Sequence, residues 1–260
     1  MKKYFLLLLV ALQTTFVFAQ KNNSDEQPYL TKSLSSADIK KIEAQTAGGN
    51  ISVTGGNSSD ARIEVYIRNN NGKVASKDEI AERLNNYDLT VEASGGKLTA
   101  IAKNKDRNMN WKKSLSISFV IYAPQNVSGN LTTSGGNISL QHLEGDQKFK
   151  TSGGNLSIDD ISGDIDGATS GGNIVVNHSH DNINLTTSGG NIEAGDCSGK
   201  ISLSTSGGNV QVSNLKGNIK TNTSGGNISA DAIEGAMAAH TSGGNVDFRF
   251  QHCLSQRTVR

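Results

Sequence analysis

Acidic residues crowd one short stretch of this sequence, at Asp159, Asp160, Asp164 and Asp166. Paired carboxylates on one face of an extended β-fold can cleave a polysaccharide, with one acting as general acid and the other as base or nucleophile. That chemistry needs carboxylates from neighbouring turns of the chain to lie together. One repeat further on, the equivalents of Asp159 and Asp164 are Asn177 and Asn182. No stack of carboxylates is therefore predicted, and we interpret these aspartates as solvated surface charge.

Metal chemistry is not predicted either. His178 and His180 stand close together, and imidazole is a common zinc ligand, but no third ligand accompanies them. Calcium-binding β-rolls require aspartate oxygens after paired glycines. Here Gly135 and Gly136 are followed by Asn-Ile-Ser-Leu, which lacks that aspartate. The sequence therefore indicates no catalytic residue, metal or cofactor.

One patch mixes positive charges with the only tryptophan of the chain: Lys103, Lys105, Arg107, Trp111, Lys112 and Lys113. An indole can stack on a sugar ring, and the surrounding cations can bind carboxylates or phosphates. We therefore expect a ligand patch for an anionic glycan or a phosphate-bearing envelope polymer. The alternative that stays open is a solvated hairpin loop whose tryptophan lies back on the fold.

These groups must be positioned by a repeat that dominates the chain. The motif Thr-Ser-Gly-Gly-Asn occurs seven times between Thr133 and Phe250, always at an interval of 18 residues. A unit this short cannot bury its own apolar face, so a fixed short period predicts stacked coils. The asparagines of the motif are Asn137, Asn155, Asn173, Asn191, Asn209, Asn227 and Asn245.

Within each repeat, apolar residues alternate as they do in strands. The residue after each asparagine is Ile, Leu or Val, the third is usually apolar, and a second apolar group follows at the tenth and often the twelfth. Alternation with period two indicates two strands per coil, and the glycine that often stands at the eighth residue indicates a bend. The sequence predicts an all-β fold, a single-stranded parallel β-helix (β-solenoid) with coils about 4.8 Å apart. By analogy with crossover connections, we expect it to be right-handed.

The asparagines and threonines of the motif should form structural ladders. Stacked asparagines are expected to pass side-chain amide hydrogen bonds along the rod, and the β-branched threonines suit a pleated surface. An ice-binding threonine array is a minor alternative. It would need a second polar column two residues earlier, where the chain has Leu131, Phe149 and Leu185 instead.

The remaining chain divides by composition. Residues 1–19 are predicted to be a secretory signal peptide, 20–40 a polar linker, 41–128 an irregular β-rich opening or cap, 129–250 the regular solenoid, and 251–260 a polar tail. A helix is expected to begin near Ser76. An isolated copy of the motif, Thr46–Val53, predicts a first coil within the opening.

Export and partners follow from the same features. A cleaved signal peptide with no later transmembrane segment places the protein in the periplasm, at the cell surface or outside the cell. The net charge of +1 favours no nucleic acid partner. Cys197 and Cys253 fall three coils apart, which is too far for a disulfide unless the tail folds back. A short tail that leaves the last coil uncovered would permit end-to-end self-association.

The strand Ile117–Pro124, followed by tandem Thr-Ser-Gly-Gly-Asn-Ile coils, resembles exported bacterial proteins with DUF4097-type β-strand repeats. These are related to adhesin-like head domains that form β-helices. The resemblance covers residues 41–250 and implies an envelope or surface protein without catalytic residues. The predicted function is a non-enzymatic adhesin-like module that is structural or binds glycans or other envelope polymers. The main alternative is a polysaccharide-active enzyme with a carboxylate-bearing face.

Overall fold

The computed structural model describes residues 27–34, 38–70, 76–105 and 114–249. Within these ranges the chain forms one α-helix, α1 (Lys77–Leu84), a short 3-10 helix (Ser58–Asp60) and strands that all belong to one sheet. The strands are β1 (Leu30–Ser33), β2 (Lys41–Thr46), β3 (Ile51–Gly56), β4 (Arg62–Asn69), β5 (Tyr87–Ser94), β6 (Lys97–Asn104), β7 (Leu115–Pro124), β8 (Ser128–Thr133), β9 (Ile138–Glu144), β10 (Gln147–Lys150), β11 (Leu156–Thr169), β12 (Ile174–Asn177), β13 (His180–Thr187), β14 (Ile192–Gly195), β15 (Ser198–Thr205), β16 (Val210–Ser213), β17 (Lys216–Thr223), β18 (Ile228–Asp231), β19 (Glu234–Thr241) and β20 (Val246–Arg249).

From β8 onwards the chain is a parallel β-solenoid, as predicted. Ile138, Leu156 and Ile174 lie in register on neighbouring rungs, and each is at most 1% exposed. The second strand of each coil stacks in the same way, from β10 through β11, β13, β15 and β17 to β19. The core is therefore a set of apolar columns that run along the rod, one residue of each column per coil.

The isolated motif copy does form a first coil. Strands β2 and β3 pair in parallel with β8 and β9. The backbone N–H of Asn137 donates to Asn50 Oδ1 at 2.9 Å, across 87 residues of sequence. Residues 41–56 are thus stacked directly on the regular coils, although 57–127 intervene in the chain.

The intervening segment caps this end of the solenoid. Strands β6 and β7 lie in parallel on β2 and β3, and β5 and β4 then pair with them antiparallel. The helix α1 begins with a capping box between Ser76 and Glu79, as its sequence predicts. These antiparallel pairs end the series of parallel rungs. They therefore protect the first coil from edge-to-edge pairing with another molecule.

The predicted linker over 20–40 is shorter than its polar composition suggests. Its described part contains β1, which pairs antiparallel with β4, and the side chains of Leu34 and Ile39 are each 1% exposed. Isolated apolar residues in a polar segment reach the core because the cap offers them a surface to cover. The predicted signal peptide (1–19) and tail (251–260) lie outside the described residues.

Two different requirements shape the corners. A Cβ on the second glycine of the motif would meet the preceding coil's backbone, as at Gly190, 1.9 Å from Gly172 O. The opposite corner turns at the fifth residue after each asparagine, which has a left-handed φ of 50–56° without being glycine in His142, Asp160, His178, Asp196, Asn214 and Ala232. Asn, Asp and His tolerate this conformation better than other side chains.

No helix among the described residues is long and apolar enough to cross a membrane.

Candidate ligand-binding face

One side of the solenoid presents two outward columns of polar side chains, which we call the long face. The first column runs Asp146, Asp164, Asn182, Lys200, Asn218, Ala236, and the second Lys148, Asp166, Asn184, Ser202, Lys220, Ala238. The inward residue between them is buried in each coil from Gln147 to Ile219. Backbone pairing holds these side chains on rungs about 4.8 Å apart.

Three shallow depressions lie in a row on this face. The first, of about 590 Å³, is lined by residues from Lys41 and Lys97 to Asp166. The second, of about 490 Å³, extends from Asp164 to Ser202. The third, of about 360 Å³, extends from Lys200 to Ala238. Neighbouring depressions share lining residues, so together they form one long shallow groove along the rod.

The middle of the groove is acidic and rich in amides. Asn182 Nδ2 donates to Asp164 Oδ1 at 2.7 Å, and Asn184 Nδ2 donates to Asp166 Oδ1 at 3.2 Å. Each pair links neighbouring coils and leaves further lone pairs and N–H groups for a ligand. Carboxylates and amides in this arrangement suit the hydroxyl groups of a sugar.

One of the predicted surface aspartates, Asp164, does belong to a short carboxylate column, which the sequence analysis did not predict. Asp164 lies in register with Asp146, one coil back, and its backbone N–H donates to Asp146 Oδ1 at 3.3 Å. One coil forward the register partners are Asn182 for Asp164 and Asn177 for Asp159, as the spacing predicts. Asp146 lies in the preceding repeat, so the residues one repeat further on do not reveal the column.

A second cluster follows the left-handed corner. His142 Nδ1 lies 2.7 Å from Asp160 Oδ2, and His178 Nδ1 lies 2.8 Å from Asp159 Oδ1. His178 Nε2 is also 3.9 Å from Asp196 Oδ2. The hydrogen bond to Asp159 and the neighbouring carboxylates raise the pKa of His178. Within the part of the chain that the structure describes, no three His, Cys, Asp or Glu side chains are arranged to hold a metal ion.

The motif asparagines lie in one exposed column, and their chemistry differs from an amide-to-amide chain. Each side-chain Oδ1 accepts from the backbone N–H of the next asparagine, as Asn137 Oδ1 does from Asn155 at 2.8 Å. The same 2.8 Å contact recurs up to Asn245. The ladder therefore bonds side chain to backbone, one bond per coil.

The motif threonines turn inward. Thr187 Oγ1 donates to Gly172 O at 2.8 Å and accepts from the N–H of Gly190 at 3.3 Å, and its side chain is buried. Thr151 and Thr205 repeat this pattern. Since these hydroxyls are buried and doubly bonded, they cannot form the surface that ice binding requires, and that alternative is wrong.

The cationic patch is described only in part. Lys103 and Lys105 lie exposed at the end of β6, in the cap, and Lys105 Nζ contacts Asp88 at 3.5 Å and Asn85 O at 3.0 Å. Arg107, Trp111, Lys112 and Lys113 lie outside the described residues. The two described lysines belong to the capping hairpin, not to the regular coils.

The comparisons with known proteins concern the overall shape. No protein-family model and no curated protein matches the chain. A solved "putative adhesin" from Parabacteroides distasonis is 17% identical, covers 85% of this chain and 96% of its own, and has a TM-score of 0.49. A "putative adhesin" from Parabacteroides merdae is 16% identical over 85% and 95%, with a TM-score of 0.48. A "putative lipid binding protein" from Parabacteroides distasonis is 15% identical over 85% and 97%, with a TM-score of 0.42. At this similarity, no ligand or activity transfers to this chain.

Proposed function

We propose that this protein is an exported, non-enzymatic binding module of the bacterial cell envelope, which holds an extended polymer such as a glycan along the long face. The observation that carries the proposal is the row of three depressions, continuous from Lys41 to Ala238. A long, shallow, polar groove suits a chain of repeating units better than a small molecule, which needs an enclosed site.

The long face is also rigid in the way that polymer binding needs. From β10 to β17, its side chains stand on parallel rungs whose strands pair with neighbours on both sides, so little backbone order is lost on binding. Single hydrogen bonds to sugar hydroxyls are weak, and water competes for them. Affinity would therefore come from many equivalent contacts, repeated at each rung.

The enzyme alternative rests on the aspartates. Asp159 and Asp164 occupy different environments, since Asp159 pairs with His178 at the corner and Asp164 with Asn182 on the long face. Asp146 and Asp164, one rung apart, are the carboxylates that an enzyme of this shape would use. A retaining glycosidase requires two carboxyl groups about 5 Å apart. A binding module should bind the polymer without cleaving it, whereas the enzyme should cleave it.

The proposal is tested with a polysaccharide array that is read for both binding and cleavage. The Asn182→Ala/Asn184→Ala double variant should weaken binding at least tenfold, because it removes amide groups from the groove. The matched control, Ser157→Ala/Gln211→Ala, alters exposed residues on the other strand of the coil and should bind like the parent. Equal binding by all three proteins contradicts the proposal. Cleavage that Asp164→Asn abolishes would instead establish the enzyme.

The predicted patch offers a second arm of the same assay. If the polymer also reaches the cap, Trp111→Ala with Lys112→Ala should reduce binding without any turnover. Undiminished binding by this variant would limit the site to the long face.

Export and self-association complete the proposal. The predicted signal peptide at 1–19 is tested by cell fractionation, which should place the mature protein in the periplasm, at the surface or in the medium. End-to-end association through the last coil is supported by Val246 and Phe248, which are 39% and 40% exposed. Sedimentation that stays monomeric at all concentrations would contradict self-association.

A further inference from the structure

We infer that the third depression of the long face is a subsite for an anionic group, a carboxylate or phosphate carried by the polymer. This inference rests on the proposed function, since it assigns a chemical class to part of the same ligand. The depression has a volume of about 360 Å³, and its polar rim consists of Lys200, Ser202, Asn218 and Lys220.

Neither lysine has an acidic partner among the residues that the structure describes. Elsewhere on the long face and beside it, Lys97 pairs with Glu43 at 2.5 Å, Lys148 with Asp166 at 3.7 Å, and Lys216 with Glu234 at 3.0 Å. Among the described residues, no ion pair or hydrogen bond holds the ammonium group of Lys200 or Lys220. The depression therefore has uncompensated positive charge.

The register brings these charges to one spot. Lys200 pairs with Asn218 on the next rung, and Lys220 lies two residues beyond Asn218 on that same strand. From rung and residue spacing, the two Cα atoms are about 8 Å apart, and flexible lysine side chains can both reach an anion placed between them. Ser202 and Asn218 add neutral donors to the same rim.

Small residues of β19 line one side of the depression. Ala236 and Ala238 occupy the columns that hold Lys200 and Lys220 in earlier coils, and partly buried Met237 lies between them. These apolar side chains offer the two lysines no competing acceptors. Asp164, in the column of Lys200, is two rungs away, about 10 Å, where salt screens its attraction. The groove is thus acidic at its centre and basic towards this end.

The test compares anionic and neutral polymers on the full chain. The probes are polygalacturonate, which carries carboxylates, polyphosphate, which carries phosphates, and neutral dextran. The parent protein should bind at least one anionic probe at least tenfold more tightly than dextran, with an affinity that falls as salt rises. The anionic probe that binds more tightly identifies the source of the charge.

The variant Lys200→Gln/Lys220→Gln should lose this tenfold preference. The matched control Lys40→Gln/Lys150→Gln removes the same charge from exposed lysines outside the depression and should retain it. Unchanged preference in the first variant overturns the inference, and so does an equal loss in the control, because net charge alone would then explain binding. If dextran binds and responds to Asn182→Ala/Asn184→Ala while no anionic preference exists, the subsite fails and the polymer-binding function stands.

Discussion

Two threonines of one strand provide the sharpest test of how the coils are held together. Thr221 and Thr223 both lie in β17, point inward, and are 0% and 3% exposed. Thr223 Oγ1 donates to Gly208 O at 2.8 Å and accepts from Gly226 N–H at 3.2 Å. Among the described residues, Thr221 Oγ1 is the buried side-chain polar atom that has no hydrogen-bond partner. The same substitution by valine should therefore have opposite effects at the two sites.

The magnitudes follow from the hydrogen bonds. Thr223→Val leaves a buried carbonyl and a buried N–H without partners, and each such group costs about 1–3 kcal/mol, so the free energy of unfolding should fall by about 2–6 kcal/mol. Thr221→Val replaces an unsatisfied hydroxyl with a methyl group between Leu203 and Ala239, its register partners. Removing that desolvation penalty should raise the free energy of unfolding by about 1–2 kcal/mol.

The assay is urea unfolding followed by far-UV circular dichroism, with the slope of the transition compared among the parent and both variants. Equal slopes allow the midpoints to be converted into free energies, which matters because stacked repeats can unfold in parts. A Thr221→Val protein that is destabilised as much as Thr223→Val would refute the reasoning. A neutral Thr223→Val would show that the threonine column contributes no net hydrogen-bond energy.

Three further predictions concern single residues. Gly190→Ala should lower the free energy of unfolding by about 3 kcal/mol or more, since its Cβ would lie 1.9 Å from Gly172 O. The control Gly189→Ala, whose Cβ would lie 3.6 Å from its nearest neighbour, should unfold at nearly the same temperature as the parent. NMR titration should find the pKa of His178 above 6.5. The stabilisation that protonated His178 gives is therefore complete at pH below its pKa in the unfolded chain, and it is lost as pH rises through its pKa in the folded protein. An unshifted pKa, or a pKa that does not decrease in Asp159→Asn, would contradict this. Burial raises the pKa of the Cys197 thiol to about 11, so in a Cys253→Ser background native protein should resist iodoacetamide at about pH 8 and react in denaturant.

The period and the alternation of apolar residues were enough to predict the solenoid, because a strict repeat without insertions permits one register. The cap hairpin and the start of α1 were also readable from local signals, at Gly95 and Ser76. The inward orientation of the motif threonine side chains was not predicted. Counting by two from the inward tenth and twelfth residues reaches the fourteenth, which is the threonine, so the signal was present in the sequence.

The candidate site was harder to predict because its parts come from different repeat positions. Lys200 and Lys220 stand in two adjacent columns of neighbouring coils, and a search along one column does not bring them together. The left-handed corner likewise carries histidine and aspartate where a turn search looks for glycine. Both features depend on three-dimensional register, which becomes visible only when the coils are laid over one another.

The insertion between the first coil and the rest has a consequence for the order in which the protein folds. Residues 128–249 can nucleate at any coil and extend by contacts 18 residues apart, which close small loops. The hydrogen bond from Asn137 N–H to Asn50 Oδ1 joins residues 87 apart in the sequence. The entropic cost of bringing them together arises when the first coil pairs with the regular coils. During synthesis the first coil emerges before β8 and β9, so one of its two sides can pair with the cap strands β6 and β7 while the other waits until the regular coils have been made.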